Sequence, residues 1–306
     1  MSLSVSIIIP TYNEEEDIGR TLDALAMLDH DALEVIVVDA SSDRTPEIVQ
    51  AYQDRITGLR LLRQGDKPGV SAARNDGLRA ATGEIVVVLN ADVFPEPDFI
   101  QRILLHYHNA ADYVLVDSRV VNLDALFPRY IQAQHEYNLT LTRDELNWTE
   151  GFSARLAAIR AVGGFPDDFA HNTAGEDAIM GDRLQASGYR RVADYSIVVP
   201  HVMPERLRVY WRQRLGRGRG GAYVLYVHQG RAIDWLAILR SVLGTLFLTA
   251  LILPALIYAA RLIPYSDRGW RDWLPFAWAR LLETAATAVG YWDGSREIAQ
   301  QRRMTS

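Results

Sequence analysis

The sequence predicts an α/β fold built on a Rossmann-like, mostly parallel sheet with helices on both faces. Three observations support this fold class. Short apolar runs rich in β-branched residues alternate along the chain with patterns of helical period. Three of these runs end abruptly in polar residues, as buried strands do where their carboxyl ends border a ligand crevice. The chain has 306 residues, 49% of them hydrophobic, and can therefore bury the core of one large domain or of two smaller ones.

The first two β-α units are visible in the order of the residues. An apolar strand at 5–9 precedes a helical pattern at 18–28 whose apolar positions share one face. A second strand at 34–38 precedes a helix for which Thr45 is the expected N-cap and Pro46 the first helical residue. Repeated units of this kind predict right-handed crossovers between parallel strands.

A third unit leads to the central strand. A short strand at 59–62 is followed by a glycine-rich loop at 65–69 and by a helix that carries Arg74 in its early turns. The central strand comes next, in the segment EIVVVLNADVFP from Glu84 to Pro95. Its apolar run is too short for a typical helix and is rich in valine, so we expect a strand buried on both faces.

Polar residues follow three of these strands. They are Thr11–Asn13 after the first strand, Asp39 after the second and Asn90–Asp92 after the central strand. Because the carboxyl ends of parallel strands meet at one edge of a sheet, these residues predict one shared site. The alternative is that each aspartate caps a helix or forms a turn, which is the commoner role of a lone Asp after a strand. Asp92 is the stronger candidate because no helix begins directly after it.

The composition limits the chemistry of such a site. The chain contains no cysteine, which excludes disulfides and thiolate metal ligands, so a metal would need oxygen or imidazole ligands. The first apolar run has no positive charge before it and stops at Pro10, so we expect no secretory signal and a catalytic portion that stays in the cytoplasm. The formal charge of −6 hides a basic segment, in which Glu205 is followed by Arg206, Arg208, Arg212, Arg214, Arg217 and Arg219.

Taken together and in order, the motifs resemble those of the family 2 glycosyltransferases, which have the GT-A fold. The resemblance rests on SIIIPTYNEE, VIVVDASSDRT, GVSAARNDGLRAATGEIVVVLNADV, GGFPDDF and GED, and covers roughly the first two-thirds of the chain. It implies a nucleotide-sugar donor, with a UDP-sugar favoured. The donor-binding residues that it implies are Pro10, Thr11, Tyr12, Asn13, Glu14, Asp39, Ser42, Arg74, Asn90, Ala91 and Asp92.

The resemblance also implies a divalent metal. Asn90-Ala91-Asp92 takes the place of the family's Asp-x-Asp motif, with an amide instead of the first acid, which leaves Asp92 as the main metal carboxylate. Mg²⁺ or Mn²⁺ bound there with the donor diphosphate would offset the charge on the leaving group. His201, at the end of a later apolar strand, is a second candidate ligand for the metal or a phosphate; alternatively it is a structural histidine.

The acceptor half begins after a strand at 113–117 and is less regular. We interpret most of its aromatic residues as core and leave Trp148 open as a face for stacking on a sugar ring. Asp177, in the first turn of a helix, is the candidate general base, because the acceptor hydroxyl must lose its proton as it attacks. The helix N-terminus favours the ionised form, although acids are common there for that reason alone. One base without a nucleophilic carboxylate implies single displacement with inversion.

The arginine-rich run from Trp211 to Gly221 admits several interpretations. It fits neither a dinucleotide fingerprint nor a Walker motif, and it is brief for a nucleic-acid-binding segment. The family resemblance implies a lid over donor or acceptor, for which the acceptor and lid residues are Glu150, Glu176, Gln213, Arg214 and Arg217. The alternatives are a solvated helix face and an anchor to anionic lipid.

A hydrophobic, membrane-associated set of helices is expected at the C-terminus. The segment between Arg240 and Arg261 has no charged residue and reaches the roughly 20 apolar residues that span a bilayer, with Pro254 as a kink. Arginines on its N-terminal side place the catalytic domain on the cytoplasmic face of the cytoplasmic membrane. The stretch at 273–291 carries two charged residues and predicts an interfacial or re-entrant helix. A buried helix of an oligomer is the alternative for the first segment.

These observations predict an inverting, metal-dependent glycosyltransferase acting on a lipid-linked or cell-envelope polysaccharide acceptor. The expected division is a nucleotide-sugar-binding half at 1–120, an acceptor-binding half at 121–203, a basic linker or lid at 204–233 and a membrane-associated tail at 234–306. Two other classes remain open. A catalytically idle sugar-nucleotide-binding scaffold would explain Asn90, and a nucleotidyltransferase that forms sugar nucleotides would share a related sheet.

Overall fold

The computed structural model describes residues 3–31, 33–142, 150–167, 174–250 and 252–305. The chain forms two compact units. The first, here called the sheet unit, comprises Met1–Arg119, Asn147–Ala170 and Asp177–His201. The second, here called the helical unit, comprises Val120–Leu146, His171–Glu176 and Val202–Ser306. Trp148, considered above as a stacking face, lies outside the described residues.

The described residues form one seven-stranded mixed sheet and eleven α-helices. The strands are β1 (Val5–Thr11), β2 (Leu33–Asp39), β3 (Leu59–Arg63), β4 (Ile85–Val88), β5 (Tyr113–Val120), β6 (Phe152–Arg155) and β7 (Arg191–His201). The helices are α1 (Ile18–Leu25), α2 (Thr45–Ala51), α3 (Val70–Ala80), α4 (Phe99–His108), α5 (Leu126–Thr142), α6 (Leu156–Ala161), α7 (Glu176–Ala186), α8 (Leu207–Tyr223), α9 (Trp235–Ala250), α10 (Leu253–Leu262) and α11 (Trp273–Thr305).

The strand order across the sheet is β3-β2-β1-β4-β6-β5-β7. The pairs β1–β2, β2–β3 and β1–β4 are parallel, as the β-α alternation predicts. Strand β6 is antiparallel to both β4 and β5, so the sheet is mixed beyond its first four strands. The carboxyl ends of β1, β2 and β4 therefore lie at one edge, where the polar residues were predicted to meet.

Both faces of the sheet are covered, which explains the uninterrupted apolar runs. In β1, Ile7 and Ile9 pack into a core with α1, α2 and α4, whereas Ile8 packs into a second core with α3, α6 and α7. Strand β4 alternates in the same way, with Val87 on the first side and Val88 on the second. A strand buried on both faces needs no polar alternation, so the prediction of helices on both faces is confirmed.

The predicted cap of α2 is wrong in its detail. Thr45 is the first residue of the helix, with Pro46 in the first turn, and the N-cap position before it is taken by Arg44, which makes no side-chain capping hydrogen bond. The Thr45 hydroxyl instead donates to Asp43 at 2.6 Å and accepts from the backbone N–H of Glu14 at 2.9 Å. The Thr45 hydroxyl cannot make these two contacts and cap its own helix at the same time. It therefore links two βα turns.

In the helical unit, α5, α10 and α11 pack around one apolar core. Phe127 stacks on Tyr210 of α8 with ring centroids 4.2 Å apart. The buried guanidinium of Arg129 donates to both carboxylate oxygens of Asp272 at 3.1 and 3.0 Å. A buried, bidentate ion pair of this kind fixes the angle between the elements that carry it.

The glycines of the arginine-rich run allow α8 to lie close to α11. A Cβ at Gly218 would collide with the backbone of Thr287, and one at Gly290 would collide with the backbone of Leu215. Close approach of two helix backbones requires this lack of side chains. The run is therefore a helix with one buried face, and its other face, with Arg212 and Arg217, is exposed.

The hydrophobic stretch at 240–261 is not one continuous helix. Helices α9 and α10 are separated by a break at which Ile252 has φ = 61°, and Pro254 lies in the first turn of α10. Among the described residues no single helix has the length and apolar character to cross a bilayer, whereas Trp235–Thr249 and Leu253–Tyr265 together do, bent by 74°. Proline cannot donate the hydrogen bond that would continue α9, which accounts for two helices instead of one.

Candidate active site

The turns after β1 and β2 are joined by side-chain hydrogen bonds. The backbone N–H of Asn13 donates to the hydroxyl of Ser41 at 2.7 Å, and the Asn13 side-chain oxygen accepts from the backbone N–H of Ser42 at 2.9 Å. Asn13 has φ = 58°, a left-handed conformation that asparagine tolerates better than most residues. Tyr12, the neighbour of Asn13, is 68% exposed and presents its ring at this edge of the sheet.

The side chain of Asp39 connects the same two turns. Its carboxylate is fully buried and accepts from the Thr11 hydroxyl at 2.9 Å and from the Ser41 backbone N–H at 3.1 Å. Its second oxygen pairs with the exposed guanidinium of Arg63. These contacts hold the predicted nucleoside-binding residues in one place. The role of Asp39 in direct donor binding stays a prediction.

The end of β4 presents Asn90, Ala91 and Asp92. The backbone carbonyl of Ala91 accepts from the buried hydroxyl of Thr21 at 2.5 Å, which ties this turn to α1. The side-chain oxygen of Asn90 accepts from Arg74 at 3.4 Å. The structure therefore brings together two predicted donor-site residues, Arg74 from α3 and Asn90 from the end of β4. An amide at position 90 provides an acceptor for Arg74 without adding negative charge next to Asp92.

Arg74 and its neighbour Asn75 also contact the loop after α6, which the sequence alone did not reveal. The guanidinium of Arg74 lies over the ring of Phe165 at 5.2 Å, and it is almost completely buried. Asn75 donates to the Phe165 carbonyl at 2.8 Å and accepts from the Phe165 N–H at 2.9 Å. The two segments lie 90 residues apart in the sequence, so no local pattern signals this contact.

Asp92 is paired with His201. The imidazole Nε2 lies 3.0 Å from Asp92 Oδ1, and the β-bridge between Val93 and His201 holds the two segments antiparallel. His201 is only 4% exposed. Burial lowers the pKa of this imidazole, but the charge and hydrogen bond of Asp92 outweigh burial and raise the pKa to about 9. Without a metal ion, the pair with Asp92 therefore favours the protonated form of His201.

Further carboxylates surround this pair. Burial, followed by the charges of Asp92, Asp17 and Asp43, raises the pKa of Glu14 to about 8. Burial and Asp92 also raise the pKa of Asp17. The charge of Glu150 contributes to the raised pKa of His201, which places this predicted acceptor residue near the Asp92 site. Because a raised pKa means that a carboxyl group holds its proton more tightly, a divalent cation bound at Asp92 would lower these pKa values and favour the ionised carboxylates.

The residues present fit a divalent ion that is shared with a phosphate ligand. In the described part of the chain, no group of three or more His, Cys, Asp or Glu side chains is arranged to hold a metal by itself. Mg²⁺, however, is usually bound through one or two carboxylates together with substrate phosphates. Asp92 would hold such an ion, and the orphaned ring nitrogen Nδ1 of buried His201 makes no hydrogen bond in the described residues and shows that the pocket can take a further polar partner.

Asp177 is the second residue of α7 and lies two residues after Gly175, which has φ = 93°. Its carboxylate is half-buried and accepts from the backbone N–H of Ala178 at 2.8 Å. The helix start predicted at this point is confirmed, and the function of Asp177 as a base stays a prediction. The other predicted acceptor and lid residues that belong to the helical unit are Glu176, Gln213, Arg214 and Arg217.

The mixed sheet with helices on both faces, the carboxylate at the end of its central strand and the two connected βα turns beside it match the GT-A fold. The family described as "Glycosyl transferase family 2" matches residues 6–163. The chain belongs to this family.

Proteins with similar sequences are described as glycosyltransferases as well. "Probable glycosyltransferase YdaM" of Bacillus subtilis (strain 168) is 30% identical over 240 residues, which cover 72% of this chain and 56% of that protein. The chain thus spans little more than half the length of this relative. Among solved structures, the mannosyltransferase PcManGT from Pyrobaculum calidifontis in complex with GDP-Man and Mn²⁺ has a TM-score of 0.61 and 25% identity, over 76% of this chain and 66% of that one.

A second solved structure shows the same fold over more of the chain. S. aureus TarS 1-349 in complex with UDP-GlcNAc has a TM-score of 0.54 and 18% identity, and the match covers 95% of this chain and 92% of that one. At this identity the similarity concerns the fold alone. The two solved structures contain different nucleotides, so the nucleotide of this chain has to be decided by its own residues.

Proposed function

We propose that this glycosyltransferase moves a sugar from a nucleotide-sugar donor to a lipid-linked or cell-envelope polysaccharide acceptor, with inversion at the anomeric carbon. The observation that carries the donor half of this proposal is the Asp92–His201 pair at the end of the central strand. A carboxylate and an imidazole side by side offer oxygen and nitrogen ligands for a metal ion that is shared with a diphosphate, and binding of the ion would displace the proton that His201 carries without it. The presence of GDP-Man and Mn²⁺ in the PcManGT structure supports the same assignment.

Asp92, with His201 beside it, would hold Mg²⁺ or Mn²⁺ together with the donor diphosphate. When bound, the ion supplies positive charge that stabilises the departing nucleoside diphosphate. Tyr12 would contact the nucleoside, and the buried guanidinium of Arg74 would lie near the phosphates. Asp177 would accept the proton of the acceptor hydroxyl, at a helix N-terminus that favours its ionised form.

The acceptor assignment rests on the helical unit. Exposed apolar side chains on α9 and α10 include Leu243, Phe247 and Ile257, and Trp270 nearby is 69% exposed. Such a surface suits the interface of a membrane, where an acceptor attached to a lipid would be found. The arginines that precede α9 favour the cytoplasmic face of the cytoplasmic membrane for the catalytic portion.

The test is calorimetric titration of the detergent-solubilised chain with UDP, GDP and dTDP, each with and without Mn²⁺. Tight binding of one diphosphate that depends on Mn²⁺ and is lost in Asp92→Ala would support the donor site and identify the nucleotide. We expect UDP to bind best. Absence of binding by all three would refute the donor proposal, and metal-dependent binding without transfer to membrane extracts would favour an idle scaffold.

A further inference from the structure

A cavity lies between α8, α9 and α11, entirely within the helical unit. Its volume is about 430 Å³. Charged side chains line it from two of the helices, Arg217 from α8 and Arg280 and Glu283 from α11. Helix α9 contributes the hydroxyl-bearing residues Ser241 and Thr245. A cavity with guanidinium groups and hydroxyls has the chemistry of an anion site, since these groups donate hydrogen bonds to oxygen anions.

The carboxylate of Glu283, which lines this cavity, already accepts hydrogen bonds from protein groups. Glu283 accepts from the hydroxyl of Tyr130 at 2.6 Å, from Gln134 at 3.0 Å and from Arg280 at 2.9 Å, all on one oxygen. Its other oxygen lies 3.7 Å from the Arg214 guanidinium. One carboxylate thus faces two guanidinium groups. An excess of positive charge remains in the pair of arginines that surround it.

The burial of Arg214 makes this excess of positive charge energetically unfavourable. Arg214 is fully buried, and its guanidinium nitrogens form no hydrogen bond with any of the described residues. It lies one helical turn before Gly218, which lines the cavity, and its nearest acid, Glu283, lines the cavity as well. A buried cation without hydrogen bonds is strongly unfavourable, and native proteins supply an anion or ordered water to such a group.

The exposed side of α9 indicates which class of anion the cavity would bind. Leu236, Leu239, Leu243 and Phe247 follow helical spacing along this helix and are all exposed. The cavity-facing residues Ser241 and Thr245 occupy a different side of the same helix. An apolar stripe next to a cationic cavity matches a molecule that has both an anionic head and a hydrocarbon chain.

We propose that this cavity binds the phosphate headgroup of an anionic lipid, whose acyl chains lie along the exposed stripe of α9. Basic pockets between membrane-associated helices recognise lipid headgroups through the same chemistry. The inference does not depend on the transferase reaction, because every residue in it belongs to the helical unit. Nucleotide titration and lipid binding can therefore fail separately.

The experiment is flotation of the full chain with vesicles of phosphatidylcholine, either alone or with phosphatidic acid. Arg280→Gln removes a charge from the cavity, and we expect it to weaken binding to the anionic vesicles by about tenfold, the scale of one charge-assisted contact. Gly221 lines the cavity, and an added Cβ there meets no atom within 4 Å. Gly221→Leu should therefore fill the cavity mouth and weaken binding without altering any charge.

Gly221→Ala is the matched control, because it adds the same Cβ but leaves the cavity open; it should bind like the unmodified chain. If Arg280→Gln fails to fold, the Gly221 pair decides the question. Equal binding of Gly221→Leu and Gly221→Ala, or equal binding to neutral and anionic vesicles, would overturn the proposal. So would saturable binding of inorganic phosphate in calorimetry without any preference for anionic vesicles, since the anion would then be free phosphate.

Discussion

The imidazole Nε2 of His201 lies 3.0 Å from Asp92 Oδ1, so the carboxylate predicted to hold a metal is paired with a buried histidine. The two residues come from strands far apart in the sequence and are joined by the bridge between Val93 and His201. The sequence identified each as a candidate, but their pairing depends on β7 folding back beside the end of β4. This pairing makes the site sensitive to pH.

The first prediction concerns stability between about pH 6.5 and pH 9. The folded pKa of His201 is about 9 and its ordinary value is 6.5, so the folded state binds the proton more tightly. The stabilisation is complete below the unfolded value and is lost as the pH rises through the folded value. It amounts to about 3 kcal/mol. Urea unfolding at a series of pH values should show this loss, and His201→Gln should remove the part of it that lies above about pH 8.

The control for this prediction is His106→Gln, which removes a histidine that pairs with Asp194 at 2.8 Å outside the site. A slope that persists in His201→Gln and vanishes in His106→Gln would contradict the assignment. Glu14 adds a change of the same sign at lower pH, because its folded pKa of about 8 lies above its ordinary value of 4.5. Its contribution is therefore present below that ordinary value and is lost as the pH rises through about 8.

The second prediction concerns Asp39. Replacing it by Asn should lower the free energy of unfolding by about 1–3 kcal/mol, because an amide cannot accept from Thr11, Ser41 and Arg63 together. Nucleotide binding should weaken as well, since the same carboxylate holds both turns. Chemical denaturation and calorimetry measure the two effects. Asp23→Asn, at a 56% exposed side chain paired with Arg55, is the control and should change neither.

The third prediction concerns Asp177. If it is the base, Asp177→Asn should lower transfer by about 10²–10⁴-fold and leave binding of the nucleoside diphosphate unchanged. The amide keeps the shape and the acceptor for the Ala178 N–H but cannot take a proton. Release of nucleoside diphosphate in the presence of membrane extract measures the rate. Asp182→Asn, at an exposed acid of the same helix, should retain activity; if both variants turn over normally, another group is the base.

The parts of the fold that follow from local pattern were predictable. Apolar runs such as that of β4 located the strands, and the polar residues after them located the edge of the site. Asp92, Arg74 and Asp177 were named because their residue types suit the chemistry and stand where strands or helices begin or end. Nothing in their local sequence, however, states which side chain contacts which.

Contacts between distant segments were therefore missed. Glu283 was read as a charge too costly for a membrane, whereas Arg280 and Tyr130 satisfy it inside the helical unit. The burial of Arg214 was also not predictable, and its part in a lid, which the family resemblance implies, stays a prediction. Composition shows that a segment is charged or apolar, but only the packing of α8 against α11 decides whether an arginine faces water or another helix.

The last prediction compares two adjacent glycines after α6. Gly163 and Gly164 have φ values of 84° and 73°, so alanine is strained at either position, by about 1–2 kcal/mol. They differ in their surroundings. A Cβ at Gly163 meets nothing within 4 Å, whereas one at Gly164 would lie 2.6 Å from the side-chain oxygen of Asn75.

Gly163→Ala should therefore cost only the backbone strain, and Gly164→Ala should cost more because it displaces Asn75 from Phe165. Arg74 is adjacent to Asn75 on α3, so the displacement would also disturb Arg74. Nucleotide binding should therefore weaken in Gly164→Ala and stay normal in Gly163→Ala. Thermal unfolding and calorimetric titration of the two variants separate these effects. Equal losses of stability, with equal nucleotide binding, would show that the contact between Asn75 and Phe165 does not position the donor site.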